Sequence, residues 1–153
     1  MSAGRNRLRL AAVMSGASAA MHLSASAGHL REWWVFAVIF AVTAGLQLEW
    51  AARVWRRPSR PVLFWGLALN LALVAVWALS RTRGLPVGPD AFHPEAVGPL
   101  DLQSTVDELL TGALVLSTLV AWRSVLASAF EALALAAACT SFVVLAAGAG
   151  HAG

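Results

Sequence analysis

The chain has 153 residues, 59% of them hydrophobic, and only 12% are charged, against about 25% in an ordinary soluble domain. It cannot bury that much apolar surface in a core of its own, so the surplus must face lipid. The net charge of +3 comes from eleven arginines without a lysine, and these flank apolar segments instead of forming a nucleic-acid face, which excludes nucleic acid as a partner.

The first apolar segment, 10–30, follows Arg5, Arg7 and Arg9 and is dominated by Ala, Ser and Gly. The basic start and Ala25-x-Ala27 also resemble a cleavable secretory signal, although retention fits the thin apolar region better. Gly16, Ala20, Ser24 and Gly28 recur every fourth residue, a small-residue face on which a neighbouring helix can approach closely. This places the first helix inside the bundle. It also offers a contact face for a membrane-protein partner or a second copy of the chain.

A second helix is expected over 33–54, opening with Trp33 and Trp34, and a third over 61–80, a run without charge. Twenty residues at 1.5 Å each span the hydrocarbon core of a bilayer. The outer connection, 81–101, contains Pro86, Pro89, Pro94 and Pro99 among Gly84, Gly88 and Gly98. Prolines fix φ and glycines turn sharply, so this loop reads as an ordered lid. Arg81 at its start is a natural partner for Glu108 or Glu32.

The fourth segment has few uncharged residues, so its helix, 102–122, carries Asp107 and Glu108 to the outer boundary. Ser104 followed by Asp107 and Thr105 followed by Glu108 fit a capping box. A fifth helix is expected over 126–148, with Glu131 near its start. The lone cysteine, Cys139, excludes a disulfide framework and reads as a small buried hydrophobe.

The arginines orient the whole. With the N-terminus cytoplasmic, Arg5, Arg7, Arg9, Arg53, Arg56, Arg57, Arg60 and Arg123 collect inside, and only Arg31, Arg81 and Arg83 outside. Trp33, Trp34 and Trp77 then fall at the outer boundary, and Trp50, Trp55, Trp65 and Trp122 at the inner one. The expected fold is an all-α membrane bundle of five spans in the bacterial cytoplasmic membrane, N-terminus in and C-terminus out.

In this orientation all four histidines, His22, His29, His93 and His151, lie toward the outer side. His22 and His29 are seven residues apart, within roughly 20° on one helical face. With Glu32, Glu108 and His93 they form a candidate outer-face site for a transition metal or, through two histidines, a haem. Interface and capping roles explain the same residues, and no compact metal motif such as HExxH is present. Gln47, Asn70 and Glu131 are the deeper polar residues and could line a polar path. Each amide should bond across helices, because lipid offers no partner. Glu131 could instead reach the inner boundary or pair with Arg123.

Around the outer loop the chain reads Trp77-Ala-Leu-Ser80-Arg81-Thr82-Arg-Gly84-Leu85-Pro86-Val-Gly88-Pro89, then Glu95-Ala-Val-Gly98-Pro-Leu-Asp101. This resembles a family of small polytopic membrane proteins of high-GC bacteria with a W-x-x-S-R-T-x-G-L-P-x-G-P segment, over roughly half the chain from His29 to Glu108. The resemblance implies a membrane fold and an outer loop; the family has no assigned activity and transfers no catalytic residue. Three functions remain open: a non-catalytic accessory or assembly subunit, an outer-face metal- or haem-binding protein, and a small transporter or channel-like oligomer. No nucleophile elbow, phosphate loop or redox cysteine pair points to an enzyme.

Overall fold

The computed structural model describes residues 3–120 and 125–149 and contains five helices, with no strand among these residues. They are α1 Ala3–Glu32, α2 Trp34–Arg56, α3 Arg60–Thr82, α4 Pro99–Leu119 and α5 Val125–Ala149. Their limits follow from local chemistry. Trp33 adopts an extended conformation (φ −160°) and breaks α1 from α2 in a one-residue corner. Pro58 stops α2, because proline cannot supply the next N–H of the ladder. Pro61 and Pro99 stand in the first turns of α3 and α4, where the missing N–H is not needed. Gly84, at φ 74°, turns the chain out of α3. A Cβ there would lie 2.4 Å from the His93 backbone nitrogen, so the position suits glycine both by conformation and by space.

α1 is the central helix. It packs along α2, α4 and α5, while α3 lies on α4 and, more lightly, on α2. Ala11, Ala12, Met14, Trp50, Val54, Leu63, Leu114, Val115, Ala134 and Ala138 belong to the core. Gly4 of α1 faces Thr118 at the far end of α4, and Ser18 meets Ser104 near its start. The two helices therefore run antiparallel.

Three helical stretches, Trp34–Arg56, Arg60–Thr82 and Ser128–Ala147, are long and apolar enough to cross a membrane. Their outward residues, among them Ile39, Val42, Leu71, Leu133, Phe142 and Val143, are exposed. α1 and α4 fall short of that composition. α1 carries arginine at both ends and many Ala, Ser and Gly residues, and α4 carries Asp101, Asp107 and Glu108.

Several expectations change on the tertiary structure. α1 is central, but not through the four-residue stripe: Ala20, Ser24 and Gly28 are exposed and Gly16 half-buried. The packed face is instead Ala11, Met14, Ser15, Ser18 and Met21, because antiparallel α4 needs room for polar side chains as well as backbone approach. Ser104 and Thr105 are not caps. α4 begins at Pro99 behind Gly98, which leaves both residues inside the helix, where Thr105 Oγ1 donates to the Asp101 carbonyl at 2.8 Å. Trp50 is no interface anchor: it is fully buried, lies over Gly66 and donates Nε1 to the Val62 carbonyl at 2.8 Å. Cys139 is exposed, not buried, since the inward face of α5 is taken by Ala134, Ala137, Ala138 and Ser141. Trp122, Arg123 and His151 lie outside the described residues.

Candidate functional site: a buried His–Glu centre

Where α1, α2 and α4 meet, the core is polar. Ser18 and His22 stand one turn apart on α1, Gln47 faces them from α2, and Ser104 and Glu108 stand one turn apart on α4. The four-residue spacing puts each pair on one helical face, and the antiparallel crossing of α1 and α4 brings the faces together. Four groups converge on one oxygen, Glu108 Oε1. His22 Nε2 lies 2.9 Å away, Ser18 Oγ donates at 3.2 Å, Gln47 Nε2 at 3.2 Å and Ser104 Oγ at 3.4 Å.

The donors also contact one another, each hydroxyl having one proton to give to one of these neighbours. Ser18 Oγ and Ser104 Oγ are 2.8 Å apart, and Gln47 Nε2 donates to Ser18 Oγ at 3.0 Å. Ser104 Oγ lies 3.3 Å from His22 Nε2. Glu108 is 2% exposed and the His22 side chain 14%. The carboxylate is thus removed from solvent while the imidazole keeps an edge toward the surface. The Gln47 Oε1 atom is buried without a protein hydrogen bond among the described residues, as are Asn70 Oδ1 and Thr111 Oγ1.

The other acid of this turn, Asp107, points the opposite way. Its Oδ2 accepts from Ser141 Oγ at 2.6 Å and its Oδ1 from Gln103 Nε2 at 3.2 Å. Gln103 also donates to Ser141 Oγ at 3.1 Å. This second polar knot ties α4 to α5, and Asp107 is fully buried in it. Neighbouring acids on one helix therefore serve opposite interfaces, as a 100° step per residue dictates.

The residues expected to form an outer metal or haem site divide into separate groups. His22 joins Glu108. His29 Nδ1 pairs with Glu32 Oε2 at 2.8 Å on its own helix, and its ring stacks on Phe40 with centroids 4.7 Å apart. Phe40 also packs against His22, 5.5 Å between centroids. His93 is held in the loop by its contact with the Ala91 carbonyl, 3.0 Å from Nδ1. Among the described residues no three His, Cys, Asp or Glu side chains are arranged to hold a metal ion.

The polar-path residues divide in the same way. Gln47 belongs to the centre. Asn70 Nδ2 donates to the Gly66 carbonyl of its own helix at 2.7 Å, so it makes no cross-helix bond through that amide nitrogen. Glu131 pairs with Arg7 of α1.

Arg81 reaches neither Glu108 nor Glu32. Its two terminal nitrogens go to Glu95 Oε2 at 2.5 Å and Asp101 Oδ2 at 2.7 Å. Trp77 Nε1 donates to the same Asp101 oxygen at 3.2 Å, and the Glu95 N–H to the Ser80 carbonyl at 3.0 Å. Trp77, Arg81, Glu95 and Asp101, all residues of the quoted loop pattern, thus form one clamp that fixes the α3–α4 connection over the end of α3. No family model, curated protein or solved structure matches the chain.

Proposed function

We propose that the protein is a five-span membrane protein of the bacterial cytoplasmic membrane, N-terminus inside, that binds and releases protons at the His22–Glu108 centre. The observation that supports this most is the carboxylate itself. An acid 2% exposed and in contact with an imidazole is expensive in a bundle surrounded by lipid, and such residues inside membrane proteins commonly serve ion or proton pathways. Stability alone does not explain the pair, because apolar side chains of the same volume are often as good or better.

The hydrogen bond joins a ring nitrogen and a carboxylate oxygen, each of which can hold a proton. With one proton the pair is neutral overall. A second proton makes His22 cationic and Glu108 neutral, which adds a charge between α1, α2 and α4. Ser18, Ser104 and Gln47 keep hydrogen bonds in either state, since the hydroxyls both donate and accept. The exposed edge of His22 is the entry for protons from the outer side. On this reading the protein is a small proton-coupled transporter.

The test is proton flux into liposomes loaded with a pH-sensitive dye, with wild type beside His22→Ala and Glu108→Gln. Flux that both substitutions abolish is the expected result; flux equal to that of empty liposomes in the wild type refutes the proposal.

A second reading, an assembly subunit, is favoured by a different observation. Ala20, Ser24 and Gly28 are exposed, and a Cβ placed at Gly16 or Gly28 would meet nothing within 4 Å. The small-residue face is therefore open to a helix from outside the chain. That reading predicts a co-purifying partner, or a second copy, lost on Gly16→Leu or Gly28→Leu.

A further inference from the structure

The end of the bundle opposite the loop clamp gathers arginines around two clefts. The larger, about 470 Å³, is lined by Glu49, Ala52, Arg53, Arg56, Arg57 and Val62. The smaller, about 70 Å³, lies between the start of α1 and the end of α2 and is lined in part by Arg5, Arg9 and Arg56. Arg56 borders both. Three guanidinium groups against the one carboxylate of Glu49 leave the larger cleft with two positive charges in excess. Its volume is within the roughly 300–1,000 Å³ of small-molecule sites.

Two of the arginines are oriented by their neighbours, and of these two only Arg53 is paired with an acid among the described residues. Arg53 Nε donates to Glu49 Oε1 at 2.6 Å, and its guanidinium stands over the Trp65 ring, 5.5 Å from the centroid. That leaves its terminal nitrogens, the fork that fits a phosphate, without a protein acceptor among the described residues. Arg9 stands over Trp55 at 5.4 Å. α3 starts beside Val62 with no acid in its first turn and no side-chain cap, so its partial positive charge adds to the field. On α2, Leu48 lies one turn from Ala52 and is exposed, and on α3 Trp65, one turn from Val62, lies under the Arg53 guanidinium. Apolar surface thus continues from the cleft along both helices.

We propose that this cleft binds the phosphate of an anionic phospholipid, with Arg53, Arg56 and Arg57 on the phosphate and the acyl chains along Leu48 and Trp65. Phosphate is the shared chemistry of a lipid headgroup and a free ion; the apolar continuation assigns the lipid. The proposal rests on the chain spanning a membrane, but not on the proton centre.

Membranes holding the full chain are first washed with alkaline carbonate. Protein released by the wash refutes the membrane reading and this site with it. Retained protein is extracted into a nonionic detergent and titrated with short-chain phosphatidylglycerol, short-chain phosphatidylcholine or inorganic phosphate, and bound ligand is read by native mass spectrometry.

Saturable binding of phosphatidylglycerol over phosphatidylcholine is expected, weakened about tenfold or more in R56Q/R57Q, which removes two charge-assisted contacts. R31Q/R83Q, an equal charge change at the other end, should bind as the wild type does. Equal retention of both lipids, equal loss in both variants, or displacement of phosphatidylglycerol by phosphate of matching affinity would overturn the site. If R56Q/R57Q does not fold, R56K/R57K keeps the charge and loses the planar forks. It should bind several-fold more weakly by the same bidentate argument, and unchanged binding overturns the proposal.

Discussion

A double-mutant cycle on His22 and Glu108 separates a centre kept for chemistry from one kept for stability. Glu108→Leu removes the acceptor shared by four side chains. Its donors are not left bare, however, because Ser18 retains Ser104 and Gln47 retains Ser18. His22 keeps only the 3.3 Å contact with Ser104. The cost therefore falls below the 3–5 kcal/mol typical of a broken buried pair and is expected at about 2 kcal/mol. His22→Leu leaves the 2%-exposed carboxylate with three hydroxyl and amide donors, and a similar cost of about 2 kcal/mol follows.

In the double variant neither polar partner is stranded and two leucines fill comparable volume. Its cost is expected at about 1 kcal/mol or less, so that the two sites couple by roughly 3 kcal/mol. Unfolding in mixed detergent–SDS micelles, followed by tryptophan fluorescence, measures all four corners. A stable double variant without proton flux is the predicted outcome. Costs that add to within about 0.5 kcal/mol would show that the two side chains act independently, and the shared-proton argument would fall.

Four further outcomes follow from the packing. Gly66→Ala places a Cβ 2.0 Å from Trp50 Nε1; overpacking and the strained Trp50–Val62 bond outweigh alanine's helix preference, for a net loss of about 1–3 kcal/mol in the same unfolding assay. Ser141→Ala takes the hydroxyl from Asp107 Oδ2 and leaves Gln103 alone to satisfy a buried carboxylate, a loss of about 1–3 kcal/mol. Arg81→Gln or Asp101→Asn opens the loop clamp, and limited trypsin digestion should then cut faster at exposed Arg83; an unchanged rate refutes the clamp. Gly84→Ala strains a φ of 74° against the His93 backbone and should speed the same cleavage, at about 1–3 kcal/mol of local stability.

Part of the candidate site was legible beforehand. Glu108 and His22 stood out as acid and imidazole within apolar sequence, and Gln47 as a deep amide. Ser18 and Ser141 did not, and Ser104 read only as a cap, although Ser18–His22 and Ser104–Glu108 carry a four-residue spacing that marks a common face. Serine is frequent in α1 and unremarkable in any single helix, so only the opposing helix shows which hydroxyls matter.

The sequence by itself determined that five helices form, although α1 and α4 begin ahead of their apolar runs, at Ala3 and Pro99. Apolar runs between Trp33, Pro58, Pro61, Gly84 and Pro99 are local signals, because proline and glycine act on the backbone within a turn. The tertiary structure alone decided the partners: Arg81 with Asp101 and Glu95, Glu131 with Arg7, and Glu108 with His22. A helical sequence specifies the face on which a charge stands, but its reach of a few ångströms meets whichever helix is packed there. The antiparallel fit of α4 along α1, a sum of many small contacts far apart in the chain, sets that choice.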